Sequence, residues 1–282
     1  MTSTGRRILA AVLRLVSWNV RRTVDAWREL ARDGALDIAL LQEAVPPPPD
    51  MAVETVPSGS ESWSTVGGRR LFCAAVAKFG NRIRFTPITA RSLLEANDRE
   101  MAVSRPGSIA AADVELANGE RLTLVSLYAA WERPREGEWI YADASAHRLV
   151  SDLSVFIGSQ RGHRIIAAGD LNILMGHGED GSPYWRDRYL SIFSRMASIG
   201  LPFVGPQHPH GIQAEPWPLE LPRESKNVPT FRVRQADPAT ATRQLDFVFA
   251  SAELHHRLRV RALNSLDEWG PSDHCRVLVE LS

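Results

Sequence analysis

The chain has few thiols, no net charge and no long apolar run. Among its 282 residues only Cys73 and Cys275 carry sulfhydryls. Two such distant thiols make no disulfide framework, and neither has a partner thiol at zinc-site spacing. Cys73 lies in the apolar run Leu71-Phe72-Cys73-Ala74-Ala75-Val76 and reads as a small core residue. Cys275, beside His274, is read the same way. The 33 basic and 33 acidic residues cancel, so no global field draws the chain to nucleic acid or to an anionic membrane. Contact with a polyanion must come from a local patch. No apolar stretch approaches the length that spans a bilayer. The run from Arg6 to Leu13 has the look of a signal peptide, but Arg14 interrupts it and no small-residue cleavage site precedes Trp18. We expect a soluble, cytoplasmic protein. Repeats, low-complexity tails and long polar linkers are also missing, so residues 1–282 are read as one domain.

What is present is ordinary core material, 44% hydrophobic against 23% charged, enough for a substantial interior. Strands are expected at Leu13–Ser17, Asp37–Gln42, Leu71–Phe79, Ser108–Leu116, Arg121–Tyr128, His163–Gly169, Gln244–Ala250, Leu258–Leu263 and His274–Leu281. Asn118-Gly119 marks a hairpin between two of them. Helical spacing covers Thr23–Asp33, Ala142–Ser159 and Asp187–Ile199. In the second of these, His147 and Arg148 lie beside the apolar stripe and read as solvated or capping residues. Residues Val45 to Asp50, Ser58 to Arg70 and Pro202 to Pro229 read as loop. Many strands with few helices define an α/β or α+β fold.

The candidate chemistry falls at strand ends. Asn19 follows the first strand, Glu43 the second, Tyr128 the hairpin, and Asp170 and Asn172 the middle strand. Asp246 lies within the strand expected at Gln244–Ala250, and Asp273-His274 stands at the start of the last. Polar residues gathered at strand ends beside apolar runs suit a sheet-based active site. The carboxylate of Asp170 and the amide of Asn172, two residues apart, are expected to face the same way. His177, His208, His210, His255 and His256 show no ligand spacing and are assigned to the surface.

The segments Ser17-Trp18-Asn19-Val20, Leu41-Gln42-Glu43, Ser126-Leu127-Tyr128, Gly169-Asp170-Leu171-Asn172, Pro229-Thr230-Phe231, Leu245-Asp246-Phe247 and Ser272-Asp273-His274 together resemble the endonuclease/exonuclease/phosphatase superfamily. That group includes abasic-site nucleases, DNase I, neutral sphingomyelinases and inositol polyphosphate 5-phosphatases. The resemblance implies a four-layer α/β/β/α sandwich of two stacked mixed sheets. It also implies hydrolysis of a phosphate ester with Mg²⁺ or Mn²⁺. Under it, Glu43, Asp273 and Asn19 are the metal ligands and Asp170 activates the attacking water. Asn172 and Tyr128 hold phosphate oxygens. His274 meets the phosphoryl charge, with Asp246 fixing its tautomer. The chain departs from abasic-site nucleases two positions after the motif asparagine, where Arg21 replaces an acidic residue. A guanidinium cannot ligate a cation; Arg21 either grips a substrate phosphate or belongs with Arg22 to a solvated pair opening the helix.

Two loops beyond the catalytic strands mix arginine with aromatics: Trp131, Arg133 and Arg135 after Tyr128, and Trp185, Arg186 and Arg188 after Asn172. Such mixtures suit phosphates beside stacked bases and suit ordinary packing equally. The favoured reading is a phosphodiesterase acting on DNA or RNA. The alternative is hydrolysis of a small or lipid-derived phosphoester. An intact set of acids, amides and histidine argues against a catalytically silent binding module.

Overall fold

The computed structural model describes residues 13–58, 63, 73–157, 164–176, 182–233 and 236–282. Residues 6–12 of the signal-like run, residues 59–62 and 64–70 of the expected loop, Leu71, Phe72, residues 158 and 159 of the expected second helix, His163 and His177 lie outside them. Two six-stranded sheets stack face to face. The first has the order β13 (Leu258–Leu263), β14 (Arg276–Leu281), β1 (Leu13–Asn19), β2 (Ile38–Gln42), β4 (Ala75–Lys78), β3 (Glu54–Val56), and the second the order β11 (Phe203–Gly205), β12 (Asp246–Ala250), β10 (Ile165–Asp170), β9 (Arg121–Tyr128), β8 (Ile109–Glu115), β5 (Arg84–Ile88). In the first sheet β1 (Leu13–Asn19) pairs in parallel with β2 (Ile38–Gln42) and antiparallel with β14 (Arg276–Leu281). In the second, β9 (Arg121–Tyr128) and β10 (Ile165–Asp170) are parallel, and β12 (Asp246–Ala250) runs antiparallel to β10. Both sheets are therefore mixed.

The layers follow from strand alternation. Leu15, Leu40, Val277 and Val279 of the first sheet meet Leu122, Leu124, Ile166, Ala168 and Val248 of the second in the central core. The opposite faces carry helices. Trp27 and Leu30 of α1 (Val24–Arg32) pack on Val16, Trp18 and Leu41. Leu149, Val150 and Leu153 of α2 (Asp143–Leu153), with Ile192 and Met196 of α3 (Pro183–Ser198), cover Val125, Leu127, Ile165 and Phe247. This is a four-layer α/β/β/α sandwich. No helix among the described residues is long and apolar enough to cross a membrane.

The same alternation sets the site. Along the inner faces the residues run apolar and then turn polar at one end. β1 reads Leu13, Leu15, Ser17, Asn19; β2 reads Ile38, Leu40, Gln42; β9 reads Leu122, Leu124, Ser126, Tyr128; β10 reads Ile166, Ala168, Asp170. Parallel pairing places Asn19 beside Gln42 and Asp170 beside Tyr128, and antiparallel pairing places Asp246 beside Asp170. All the polar ends therefore reach one rim of the sandwich. Just beneath it, Gln42 Nε2 donates across the sheets to Ser126 Oγ at 2.9 Å, and Ser126 Oγ donates to Leu41 O at 2.6 Å.

Several local expectations change. Short strands β3 (Glu54–Val56), β5 (Arg84–Ile88), β6 (Ala90–Ser92), β7 (Met101–Val103) and β11 (Phe203–Gly205) have no clear alternation in sequence. β5 and β11 are sheet edges, and Pro87 in β5 is tolerated only there. Helix α3 starts earlier than expected, with Pro183 in its first turn, a position that suits proline's fixed φ and missing N–H. Trp63, inside the expected exposed loop, is buried against Trp27 with ring centroids 6.2 Å apart. Both cysteines are buried, and burial pushes the Cys73 thiol up to about 12. His147 and Arg148 are not simply solvated. His147 takes a hydrogen bond from Arg195 at 2.8 Å and meets Ser191 Oγ at 3.2 Å, tying α2 to α3, while Arg148 pairs with Glu132.

Candidate active site

Gly169 shows why the middle strand ends as it does. A Cβ built there would lie 1.8 Å from the Leu127 carbonyl oxygen, so only glycine lets β10 lie this close to β9. That approach sets Asp170 on the rim. Asp170 is buried and accepts three hydrogen bonds: Asn19 Nδ2 at 2.9 Å, Asn172 N at 2.9 Å and Asn172 Nδ2 at 3.1 Å. Burial, and then the Asp246 charge, push its carboxyl well above the ordinary carboxylate range, against the pull of His274. A carboxylate so raised is suited to accept a proton near neutrality.

His274 stands across from it. Its Nδ1 meets Asp246 Oδ2 at 2.8 Å, and its Nε2 lies 3.8 Å from Asp170 Oδ2. Burial alone would lower the imidazole's pKa, but the carboxylates of Asp246 and Asp170 outweigh it and hold the ring's pKa above its ordinary value. The Asp246 contact fixes Nδ1 as a donor and leaves Nε2 for the reacting group. The Phe231 ring lies 5.0 Å from the imidazole, centroid to centroid.

Asn172 departs from expectation. It lies beyond β10 with φ of 51°, so strand alternation does not orient it. Its amide still faces Asp170, but Nδ2 also donates to Ala129 O at 3.0 Å. Both amide protons are thus committed, and the residue fixes Asp170 rather than offering a free donor to phosphate. Tyr128 donates its hydroxyl to Glu43 Oε1 at 2.9 Å; contact with a phosphate oxygen would require exchanging that bond.

Glu43 leaves β2 with φ of 47°, which turns its carboxylate toward Asn19 Nδ2 at 3.5 Å. Asp273 is half-buried at the same rim, its Oδ1 3.4 Å from Ser272 Oγ. Arg21 accounts for its other oxygen, with Nε 3.4 Å from Oδ2. Arg21 and Arg22 have φ of 47° and 59°, and Arg21 N donates to Asn19 Oδ1 at 3.0 Å. The tight turn that follows the motif asparagine therefore brings a cation onto a candidate metal ligand.

The donor set fits a hard divalent cation. Glu43 and Asp273 offer carboxylate oxygens, the kind Mg²⁺ and Mn²⁺ take; the Asn19 oxygen accepts from Arg21 N and Asp273 Oδ2 faces Arg21, so those two would have to exchange these contacts to ligate. A second group also exists: Asp170, Asp246 and His274 offer ligand atoms all within 4.8 Å of one another. Most of those atoms are already hydrogen-bonded; the buried Asp246 Oδ1 has no partner.

Sequence reasoning did not assign roles to two buried hydroxyls. Thr230 Oγ1 accepts from Leu245 N at 3.0 Å and Asp246 N at 3.1 Å. Ser272 Oγ donates to Asn19 O at 2.6 Å and accepts from His274 N at 3.2 Å. Both sit inside motif segments, but only tertiary structure shows what they hold. Of the loop residues, Trp131 packs half-buried against the core beneath α2 and α3. Arg133 and Arg135 are exposed. Arg186 pairs with Asp187 at 3.0 Å, Arg188 pairs with Asp143, and Trp185 stacks on Tyr189 at 5.7 Å.

A two-sheet sandwich whose acids, amides and histidine meet at one rim is the architecture of the DNase I-like nucleases and phosphatases. The chain belongs to the Endonuclease/Exonuclease/phosphatase family, which it matches over residues 16–274. No curated protein sequence matches it. Among solved structures, it is similar to the endonuclease domain of TRAS1, a telomere-specific non-LTR retrotransposon, at 19% identity and TM-score 0.60, covering 95% of this chain and 98% of that one. It is also similar to the catalytic domain of APE2 from Xenopus laevis, at 15% identity and TM-score 0.63, covering 95% and 91%. A third is the 3' phosphatase NExo from Neisseria bound to product DNA hairpin, at 16% identity and TM-score 0.57, covering 96% and 99%. At these identities the likenesses speak for the fold. Family membership places the chain among hydrolytic nucleases and phosphoesterases.

Proposed function

We propose that the protein is a divalent-metal-dependent phosphodiesterase, acting on a polynucleotide by in-line attack of water. The observation that carries this reading is the pair formed by Asp170 and His274. A raised, buried carboxylate faces a carboxylate-anchored imidazole across 3.8 Å, which pairs a base with a donor in one slot. Asp170 takes the proton of the attacking water. Asn19 and Asn172 keep its oxygens aimed. His274 Nε2 donates to the phosphoryl oxygen as charge builds there, and Asp246 keeps the ring in the tautomer this needs. Glu43, Asp273 and Asn19 would hold Mg²⁺ or Mn²⁺. When bound, such an ion offsets charge on the phosphate and the leaving oxygen. A polynucleotide is favoured over a small phosphoester by the DNA bound to the similar NExo.

The test is hydrolysis of bis(p-nitrophenyl) phosphate and of labelled DNA and RNA, after dialysis against chelator, with and without Mg²⁺ or Mn²⁺. Turnover should vanish in chelator and return with either ion. Undiminished turnover in chelator would remove the metal from the mechanism.

A further inference from the structure

Both loops that follow the catalytic strands β9 and β10 end in aromatic side chains, and the two sets meet. Beyond Tyr128 the backbone closes on itself: Glu132 N donates to Tyr141 O at 2.7 Å and Tyr141 N to Glu132 O at 3.0 Å. The carboxylate of Glu132 is anchored by Ser145, Arg148 and Arg105. This closed loop carries Trp139. Beyond Asn172, the first turns of α3 carry Tyr184, Trp185 and Tyr189. Trp139 meets Tyr141 at 5.3 Å and Trp185 at 5.6 Å; Trp185 meets Tyr184 at 5.3 Å and stacks on Tyr189. The Arg188 guanidinium lies 5.2 Å from the Tyr184 ring centre and 5.6 Å from that of Trp185, and is held by Asp143. Five rings are thus fixed by one another, by a cation and by a closed loop.

Two of the rings are open to solvent: Trp139 is 47% exposed and Tyr184 59%. The cluster is carried by the segments that leave β9 and β10 at the ends holding Tyr128 and Asp170.

Charge around the rings narrows what they bind. Arg186 is spent on Asp187 and Arg188 on Asp143. Of the loop cations, Arg133 and Arg135 have no ion pair among the described residues, and exposed Glu136 and Glu138 offset them. A patch so nearly neutral cannot grip a phosphate backbone by charge. Its aromatic faces can take flat, uncharged groups. Nucleobases have such faces, but in a duplex each is covered by its neighbours, so only unpaired bases can stack on protein rings.

We infer that Trp139 and Tyr184 form a stacking platform for unpaired bases, so that the substrate is single-stranded or carries a single-stranded overhang next to the scissile phosphate. This rests on the phosphodiesterase reading above and names its substrate class. Prior mutual packing of the rings keeps the ordering cost of binding low.

The test uses the full chain with Asp170→Asn, which does not consume the probe, and follows tryptophan fluorescence. Three probes of equal length, about twelve nucleotides, are titrated: oligo-dT, a base-free backbone of tetrahydrofuran units, and a blunt duplex. Oligo-dT should bind and quench fluorescence. The base-free strand and the duplex should bind at least about tenfold more weakly. In the same background, Trp139→Ala and Tyr184→Ala should each weaken oligo-dT binding on the order of tenfold to a hundredfold. Trp139→Phe, which keeps a ring and the packing on Trp185, should bind within a few fold of the parent. Equal binding of the base-free strand, or unaltered binding by Trp139→Ala, overturns the platform. Hydrolysis of bis(p-nitrophenyl) phosphate by the unaltered chain is measured alongside. If that ester is cleaved while oligo-dT fails to bind, the platform falls and the phosphodiesterase reading stands. If it is not cleaved, that reading falls and takes the inference with it.

Discussion

Replacing Asp170 by asparagine separates chemistry from support. The change keeps shape but removes the proposed base, which should lower turnover by about 10²- to 10⁴-fold. Its effect on folding follows from three hydrogen bonds. Asp170 Oδ2 accepts from Asn19 and from the Asn172 side chain, and Oδ1 accepts from Asn172 N. An asparagine offers one oxygen. Placed at Oδ2, it retains the first two bonds and sets its NH₂ against the Asn172 backbone N–H. That mismatch costs about 1–3 kcal/mol. Against it, the variant no longer has to bury a carboxylate, whose desolvation is the largest influence on Asp170 in the folded protein. The two effects oppose, so the urea midpoint should move little while kcat on bis(p-nitrophenyl) phosphate collapses. Both are measured on the same preparation. Activity near that of the parent, with the fold intact, would refute Asp170 as the base.

Other changes probe the parts around it. His274→Ala and Asp246→Ala should each reduce kcat strongly, and the double variant should be little worse than His274→Ala alone, as for residues acting as a unit; a double effect equal to the product of the single effects refutes the coupling. Gly169→Ala should destabilise the fold by at least ~3 kcal/mol, because the added methyl meets backbone rather than a movable side chain; an unchanged denaturation midpoint would contradict the strand spacing. Burial and the charge of Arg195 hold the His147 pKa below its ordinary 6.5. The folded chain then binds this proton less readily than the unfolded chain. Its contribution is constant above 6.5 and declines as pH falls below it, by at most ~1.4 kcal/mol per pH unit. His147→Gln should remove that part of the slope in urea unfolding from about pH 7 to 5; an identical slope in the variant refutes it.

Much of the sandwich is legible in sequence because the strands that carry the site are long and strongly patterned. Ile165–Asp170 and Ile38–Gln42 are buried along their whole length, and their apolar runs are plain. The edge strands are not, since β5 buries only Phe85 and includes a proline. The polar residues at strand ends could be picked out, but not their bonds. The family resemblance implies a phosphate contact for Asn172, and sequence spacing does not show that Ala129 O and Asp170 take both its amide protons. The Arg21–Asp273 contact was equally hidden, being a pairing between the two ends of the chain. The aromatic loops read as mixtures of arginine and tryptophan; that Arg186 and Arg188 have acidic partners depends on helix α3 and on Asp143.

The Gln42–Ser126 bridge has a wider consequence. Asn19, Glu43, Asp273 and His274 hang from one sheet, and Tyr128, Asp170, Asn172 and Asp246 from the other. The proposed reacting groups are therefore halves of a split apparatus, and their alignment is the alignment of two slabs packed through non-directional apolar contacts. A directional polar tie at the rim resists slippage where the groups meet. Catalytic competence then reports on the mutual registration of the sheets, and a partly loosened protein with both sheets intact would already be inert.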